Sequence, residues 1–217
     1  MERLTLLSKG AEAVIYKTIF MGIEAIVKYR DTKNYMDPRL DKLIRSKRTI
    51  TEARIIRDLR EKGVKVPAVL YMDPDNYFIV IEYIDGISLR DYLLGGGDPQ
   101  KLVAAGEILG EIHKNNIYHG DPTISNYLID PSGGTWIIDF GLSGYSEDIE
   151  EKAVDLHLAY RSIETLPFKD IVRYKKLFFE GYSSRYQEAE EISQRVEEIR
   201  RMGRYVAERK MRTVYKF

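Results

Sequence analysis

The stretch YHGDPTISNYLID at 118–130 places Asp121 and Asn126 just ahead of an apolar run, and the triplet DFG follows at 139–141. The letters PSGG between the two apolar runs are a turn signal, so the sequence predicts a hairpin. If that hairpin folds symmetrically, Asn126 pairs with Asp139 at its open end, to within about one residue. An amide oxygen and a carboxylate placed together suit Mg²⁺, which prefers oxygen ligands. Asp121 lies just upstream, where a second carboxylate can accept a proton from a nucleophile or position it.

A buried ion pair is predicted between Lys28 and Glu52. The letters TITE at 49–52 have the spacing of a capping box, which would make Glu52 a structural helix cap. Glu52 also leads the apolar face of the predicted helix, however, and a carboxylate on that face needs a cationic partner. Lys28 interrupts the apolar strand IEAIVKYR at an inward-facing position. The pair would aim the Lys28 ammonium group at an anion.

These residues need a scaffold, and the periodicity of the chain indicates one of the α+β class. Up to Tyr83 strand-like runs surround one helix, and after Gly86 apolar residues recur mainly at helical spacing, apart from the hairpin. The layout predicts a single domain with a β-rich N-lobe at 1–84 and a helical C-lobe at 85–194. A basic C-terminal tail follows at 195–217.

The composition excludes several classes of site. The 217 residues include no cysteine, which rules out disulfides, thiolate metal sites and thiol nucleophiles, and three histidines argue against a structural zinc site. The first ten residues lack the apolar run of a signal peptide, and no later segment is long and apolar enough to span a bilayer. We therefore expect a cytoplasmic location.

The order of these residues along the chain resembles the order of the conserved motifs in the protein-kinase fold. Lys28 is similar to the third-strand lysine that contacts the ATP α- and β-phosphates, and Glu52 to its helix partner. His119-Gly120-Asp121 with Asn126 resembles the catalytic loop, and Asp139-Phe140-Gly141 resembles the metal-binding motif. The resemblance implies a minimal bilobal kinase-like fold that uses ATP and Mg²⁺. It makes Asp121 and Lys28 catalytic, and Asn126 and Asp139 the metal ligands.

Several departures from ordinary protein kinases narrow the resemblance. The phosphate-covering loop SKGAEA at 8–13 has one glycine instead of three, and the catalytic loop reads HGD instead of HRD. Only thirteen residues separate DFG from Asp155, and no APE motif is present, so we expect the activation segment and later elements to be truncated. Pro122 stands where a leucine would be expected. These features resemble the small atypical kinase-like ATPases of the KEOPS complex.

The resemblance to this family implies Mg²⁺-dependent ATP hydrolysis and autophosphorylation on Ser or Thr. It also implies binding to a threonylcarbamoyltransferase subunit and to the other KEOPS subunits, in a complex that modifies tRNA. The nucleotide-binding residues that the resemblance implies are Leu7, Ser8, Lys9, Gly10, Ala11, Glu12, Ala13, Val14, Ile15, Lys28, Glu52, Glu82 and Ile84.

Two residues near the catalytic loop are interpreted as structural. The ring of His119 is expected to pack under the loop, and Asp155 resembles the later helix aspartate that braces it. His113 and His157 are interpreted as packing or surface residues.

The C-terminal segment is basic, with eight Lys or Arg residues and three Glu residues from Arg195 to Phe217. One interpretation is a solvated helix face, and the other is a tail that binds phosphates. The segment RVEEIRRMGRYVAERK is expected to be helical, with Val196, Ile199 and Val206 packed on the C-lobe. The freest charges, which are the candidate tRNA contacts, are Arg209, Lys210, Arg212 and Lys216.

Two other functions are compatible with the motifs. Small-molecule kinases of the aminoglycoside or choline type also carry HGD followed by Asn, although they usually need extra helices to form a substrate pocket. A non-catalytic scaffold could keep the fold for binding. The presence of Lys28, Asp121, Asn126 and Asp139 together argues against a scaffold.

Overall fold

The computed structural model describes residues 4–10, 13–33 and 35–214, with side chains as far as residue 202. Within these residues the chain forms ten strands and six helices. In chain order they are β1 (Thr5–Lys9), β2 (Val14–Phe20), β3 (Ile23–Tyr29), α1 (Pro38–Glu61), β4 (Val69–Asp73), β5 (Phe78–Glu82), β6 (Ile87–Ser88), α2 (Leu89–Leu94), α3 (Lys101–Lys114), β7 (Ile117–Tyr118), β8 (Tyr127–Ile129), β9 (Thr135–Ile137), β10 (Gly144–Tyr145), α4 (Ile149–Ile163), α5 (Ile171–Arg185) and α6 (Ala189–Val214).

The first five strands form one antiparallel sheet in the order β1-β2-β3-β5-β4. Side chains alternate between its faces, so Ala25 and Val27 of β3 pack on one side against Val80. Their neighbours Ile26 and Lys28 therefore lie on the other side, which faces α1 and the C-lobe. This alternation is what turns Lys28 inward, as the sequence predicts.

Helix α1 begins well before the TITE letters. Pro38 occupies the first turn, and the Asp37 side chain accepts hydrogen bonds from the backbone N–H groups of Arg39 and Leu40. Thr49 consequently lies inside the helix, where its hydroxyl donates to the Arg45 carbonyl oxygen at 2.9 Å. The capping-box interpretation is therefore wrong, and the Glu52 side chain can form other contacts on the buried face of α1.

The larger of two hydrophobic clusters extends through both lobes. It includes Ile55 and Leu59 of α1, Ile79 of β5, and the buried faces of α3 to α6. Helices α3 and α5 approach each other through glycines: a Cβ atom on Gly106 would collide with the Phe178 carbonyl oxygen, and one on Gly181 with that of Val103. Gly110 faces the Tyr182 carbonyl oxygen in the same way.

The predicted C-terminal helix is confirmed, although it starts at Ala189 and not at the predicted tail boundary. Val196 is buried, and Ile199 packs against the core, whereas Val206 lies outside the described side chains. Arg195 pairs with Glu150 at 2.5 Å and with Glu198 at 2.6 Å, and Arg200 pairs with Glu164. Some of the basic charge is therefore used within the fold.

None of the described helices combines the length and the apolar character that crossing a membrane requires.

Candidate active site

The β8–β9 hairpin forms with a register one residue away from the prediction. Leu128 pairs with Trp136, and the Ile138 N–H donates to the Asn126 carbonyl oxygen at 2.9 Å. Asn126 is thus opposite Ile138, not Asp139. The reason is a three-residue loop closed by Asp130 and Gly134, in which Gly133 adopts the left-handed conformation at φ 83°. The prediction assumed an even-numbered loop.

Asp139 nevertheless reaches the site, because its backbone turns as it leaves the strand. Its φ of 67° lies in the left-handed region, which Asp tolerates better than most residues. Its Oδ1 accepts a hydrogen bond from Lys28 Nζ at 2.5 Å and one from the Gly141 N–H at 3.3 Å. Burial alone would raise the pKa of Asp139, but the adjacent Lys28 ammonium outweighs it and lowers that pKa.

The predicted Lys28–Glu52 ion pair is confirmed, with Nζ 2.7 Å from Oε1. The second oxygen of Glu52 accepts from Arg30, so one buried carboxylate holds two cations. Burial opposes the charge on Lys28, yet Glu52 and Asp139 outweigh it and raise the pKa of Lys28. The sequence did not lead us to predict Arg30 as a second partner of Glu52. Its position two residues after Lys28, which predicts the same side of the chain, was the available signal.

The catalytic-loop residues are held by hydrogen bonds that orient Asn126. Its Nδ2 donates to the Asp121 carbonyl oxygen at 2.8 Å and to Asp121 Oδ2 at 3.0 Å. A carbonyl oxygen can only accept, so these bonds identify the nitrogen and direct Oδ1 of Asn126 the other way. Asn126 and Asp139 thereby offer oxygen atoms of the kind that Mg²⁺ takes, and the donor set fits that ion in partnership with phosphate oxygens and water.

His119 has the structural role that its sequence context predicts. The buried ring packs on Phe140 with a centroid separation of 4.7 Å, and Nε2 donates to the Ile138 carbonyl oxygen at 3.1 Å. Nδ1 is then the acceptor for the Asp121 N–H at 3.2 Å. Burial lowers the pKa of His119, which keeps the ring neutral and suits this tautomer. The ring thus connects the catalytic loop to the hairpin.

Asp155 braces the same loop from below, as expected. Its carboxylate oxygens accept hydrogen bonds from the backbone N–H groups of His119 at 2.5 Å and of Gly120 at 2.8 Å. Behind it, the buried His113 ring places Nε2 3.2 Å from Asp155 and Nδ1 2.8 Å from the Tyr182 hydroxyl. Burial lowers the pKa of His113. The packing interpretation of His113 is correct, and its contact with Asp155 adds a brace.

A cleft of about 360 Å³ lies between the sheet and the C-lobe. Asn126 and Asp139 line it. Seven of the predicted nucleotide-binding residues also line it, namely Leu7, Ser8, Ile15, Lys28, Glu52, Glu82 and Ile84. The carboxylate of Glu82 is already engaged, since it accepts from the Ala68 N–H at 2.9 Å and from Arg60 at 3.3 Å.

Other predicted residues do not line this cleft. Val14 precedes Ile15 on β2 and so faces the opposite side, and Ala13 is buried next to it. Lys9 is exposed and pairs weakly with Asp31, and Gly10 follows it outside the lining. Ala11 and Glu12 lie outside the described residues. The same alternation would have identified the missed lining residues Ile26 and Ile81, which lie inward on neighbouring strands.

The side chains of the candidate tRNA contacts lie outside the described ones: Arg209, Lys210, Arg212 and Lys216.

Comparison with known proteins agrees with this geometry. Residues 15–164 match the model of the ABC1 atypical kinase-like domain. The KEOPS complex subunit Bud32 of Pyrococcus abyssi is 38% identical over 213 residues, which is 93% of this chain and 96% of that protein. A probable bifunctional tRNA threonylcarbamoyladenosine biosynthesis protein of Methanospirillum hungatei is 38% identical over 85% of this chain. This chain spans only 36% of that relative's length.

Solved structures support the fold. The Rio2 kinase of Chaetomium thermophilum superposes with a TM-score of 0.60 at 18% identity, covering 94% of this chain and 72% of that one. Its complex with ADP, Mg²⁺ and phosphoaspartate gives a TM-score of 0.58 at 18% identity, covering 95% and 71%. The predicted α+β bilobal kinase-like fold is confirmed. With both lobes accounted for, and with a relative matched over almost its whole length, this chain belongs to the Bud32 family of atypical kinase-like proteins.

Proposed function

We propose that this protein is a Mg²⁺-dependent ATPase and atypical Ser/Thr kinase that acts within the KEOPS complex to support threonylcarbamoyladenosine modification of tRNA. The observation that carries the catalytic part is the position of Lys28, whose ammonium group contacts Glu52 and Asp139 inside a cleft that Asn126 also lines. A cation, a carboxylate and an amide oxygen in one partly apolar cleft suit a nucleotide with its phosphates.

Each side chain then has a defined task. Lys28, held by Glu52, neutralises phosphate charge, and the apolar lining near Ile15 and Ile84 receives the base. Asn126 and Asp139 would hold Mg²⁺, which when bound offsets the negative charge of the phosphates.

Asp121 orients the attacking group and accepts its proton. That group is water in hydrolysis, or a Ser or Thr hydroxyl in phosphotransfer. Its oxygen bonds to the γ-phosphorus while the bond to the β–γ bridging oxygen breaks, and ADP leaves. The Asp121 carboxylate is held by Asn126 Nδ2 at 3.0 Å, so a residue of the same loop fixes its position.

The KEOPS assignment is supported by the Pyrococcus abyssi relative, of which this chain covers 96%. The protein's partners would then be the threonylcarbamoyltransferase subunit and the other KEOPS subunits, with tRNA contacted through Arg209, Lys210, Arg212 and Lys216. The domain boundaries at 84 and 194 and the cytoplasmic location stay predictions.

Short free peptides should be poor acceptors. After Gly141, the segment before α4 forms the two-residue strand β10, which pairs with β7 of the catalytic-loop region. This leaves little chain to present a peptide.

The test is ATP turnover by the pure protein, alone and with the transferase subunit and tRNA. Phosphate release and phosphorylation of the protein itself are measured with Mg²⁺ and with EDTA, and with the Lys28→Met variant as a control. We expect Mg²⁺-dependent release that Lys28→Met loses. No turnover under any of these conditions, or efficient phosphorylation of free peptides, would contradict the proposal.

A further inference from the structure

A second, polar groove of about 670 Å³ lies apart from the nucleotide cleft. It is formed by the end of α1 and the turn after it, by α3, by the β8–β9 turn and by the end of α5. Five cationic and two acidic side chains line it: Lys62, Lys65, Lys101, Lys114, Arg185, Glu107 and Glu111.

The two carboxylates of the groove each have a cation of their own. Glu107 pairs with Arg185 at 3.3 Å, and Glu111 pairs with Lys114 at 3.4 Å. Three positive charges, those of Lys62, Lys65 and Lys101, are therefore in excess in the lining.

Neutral groups hold two of these three ammonium groups. Lys62 donates to the Asn115 side-chain oxygen, and Lys101 donates to the Gly133 carbonyl oxygen. Across the part of the chain that the structure describes, none of Lys62, Lys65 and Lys101 forms an ion pair with a carboxylate. The groove therefore attracts anions, and the anchored lysines lose less conformational entropy when an anion binds.

The turn between β8 and β9 brings two of the lysines together. If Gly133 carried a Cβ atom, that atom would lie 3.5 Å from Lys101 Nζ. A Cβ atom on Gly134 would lie 2.8 Å from Lys65 Nζ. Because Gly133 has no side chain, an anion can approach the turn backbone beside Lys101. At Gly134 the corresponding position is already close to an Asp130 oxygen, at 2.5 Å. The Asp130 oxygens accept from Ser132, from the Gly134 N–H and from Trp136, which hold its carboxylate within the turn. These donors are neutral and leave its negative charge in place, so two of the three positive charges remain in excess around the groove.

The walls of the groove are rigid elements. Helices α1, α3 and α5 all contribute to the hydrophobic cluster shared by the lobes, and α3 and α5 are in backbone contact at their glycines. The lysines are thus presented by a surface that is formed before any ligand arrives, which reduces the cost of binding.

We propose that this groove binds the phosphate backbone of RNA, and that it contacts tRNA in addition to the C-terminal tail. The choice of RNA rests on the proposed function, and the choice of phosphate rests on the excess of lysine charge. Lysine acts as a point charge toward phosphate and reads no base sequence, so the contact should position the RNA without selecting its sequence.

The test is tRNA affinity across a salt series, with the 217-residue chain. The groove variant carries Lys62→Gln, Lys65→Gln and Lys101→Gln. The matched control carries Arg39→Gln, Lys42→Gln and Lys47→Gln, three exposed residues of α1 with the same change in charge. If each groove lysine contacts one phosphate, the slope of log affinity against log salt should fall in magnitude by roughly 2 to 3. Affinity at low salt should fall about tenfold or more, and the control should keep both values.

Three outcomes would overturn the groove assignment: equal losses in the groove and control variants, no loss in the groove variant, or no salt-dependent RNA binding by the wild-type chain. Polyglutamate competition that disappears with the same three lysines would reassign the groove to an acidic protein. Lys65→Glu, compared with Lys47→Glu, repeats the test at one exposed position if the triple variant folds poorly. ATP hydrolysis by the same samples should be unchanged, so failure of the catalytic proposal would be seen separately.

Discussion

Glu52 is the residue on which the polar interior of the N-lobe depends, since its two oxygens serve Lys28 and Arg30. Replacing it with Gln would remove the counter-charge that these two buried cations share and leave Lys28 with Asp139 alone. We expect Glu52→Gln to lower the free energy of unfolding by about 3–5 kcal/mol, as measured by urea unfolding, and to weaken ATP binding. Glu61→Gln, on the exposed part of the same helix, is the control. A loss equal to that of the control would mean that the pair is dispensable.

Asp139 should be needed for chemistry far more than for folding. It is half exposed and supplies one proposed metal-binding oxygen. We expect Asp139→Ala to reduce ATP hydrolysis by about a hundredfold or more while the protein stays folded, as judged by circular dichroism. Asp139→Asn tolerates the left-handed backbone and so separates loss of charge from backbone strain. Hydrolysis within a few fold of wild type in both variants would sink the proposed role.

At the scale of elements, helix α1 is tied to the segment after DFG by one hydrogen bond, from the Tyr145 hydroxyl to Asp58 at 2.6 Å. Burial would raise the pKa of Asp58, but the bonds from Tyr145 and Arg57 outweigh it and lower that pKa. Burial raises the pKa of Tyr145 to about 12. At neutral pH the hydroxyl therefore donates to a carboxylate.

We expect Tyr145→Phe to lower the free energy of unfolding by about 1 kcal/mol at pH 7. Because the folded pKa of Asp58 is below the unfolded one, the bond's contribution is complete above pH 4 or so and is lost as pH falls through the folded pKa. The difference between wild type and variant should therefore shrink below about pH 4. The exposed Tyr35→Phe serves as control, and a pH-independent difference would contradict this account.

The end of α6 should matter for RNA and not for nucleotide. Truncation after Glu208 removes Arg209, Lys210, Arg212 and Lys216. We expect weaker tRNA binding and a smaller slope of log affinity against log salt, because fewer basic side chains displace counterions from the RNA phosphates. ATP binding should be unchanged. Titrations of tRNA across salt with both proteins measure this. Identical slopes would show that these charges make no phosphate contact.

Local rules predicted much of this architecture from the sequence. Period-two alternation located the strands and turned Lys28 inward, and the same rule would have added Ile26 and Ile81 to the cleft and removed Val14. The hairpin register lies one residue from the symmetric pairing because the left-handed Gly133 makes a three-residue loop. Symmetry alone does not decide whether a loop has an odd or an even number of residues. The start of α1 was available in Asp37-Pro38, a cap followed by a first-turn proline.

What the sequence could not predict depends on contacts between distant segments. Arg30 and Lys28 share Glu52 only because α1 packs on β3. His113 contacts both Asp155 and Tyr182, and these three residues lie on three different helices. The pattern of apolar residues within any one helix does not predict such contacts. The motif residues Asp121, Asn126 and Asp139 were found by their order along the chain, but their orientation comes from hydrogen bonds to neighbouring backbone.

For the molecule as a whole, the shared hydrophobic cluster implies that the two lobes unfold together. We expect Leu59→Ala, in the N-lobe helix α1, to cost about 2–5 kcal/mol in the free energy of unfolding. Trp136 is the single tryptophan and lies in the C-lobe hairpin, so its fluorescence reports on the other lobe. Its transition should shift together with circular dichroism. Leu43→Ala, exposed on the same helix, is the control, and an unshifted Trp136 transition would indicate independent lobes.

The glycine contact between α3 and α5 has a consequence for protein engineering and for the way such a sequence can drift. Exchanging a helical glycine for alanine is a common stabilising edit, worth about 0.4–1 kcal/mol where the site accepts it. At Gly106 or Gly181 the added methyl would instead push α5 away, and with it Tyr182, which holds His113. His113 in turn supports Asp155 beneath the catalytic loop. Replacing either glycine with alanine should therefore reduce both stability and catalysis. Selection for either property acts against the substitution, so neither property can be gained at the expense of the other at these positions.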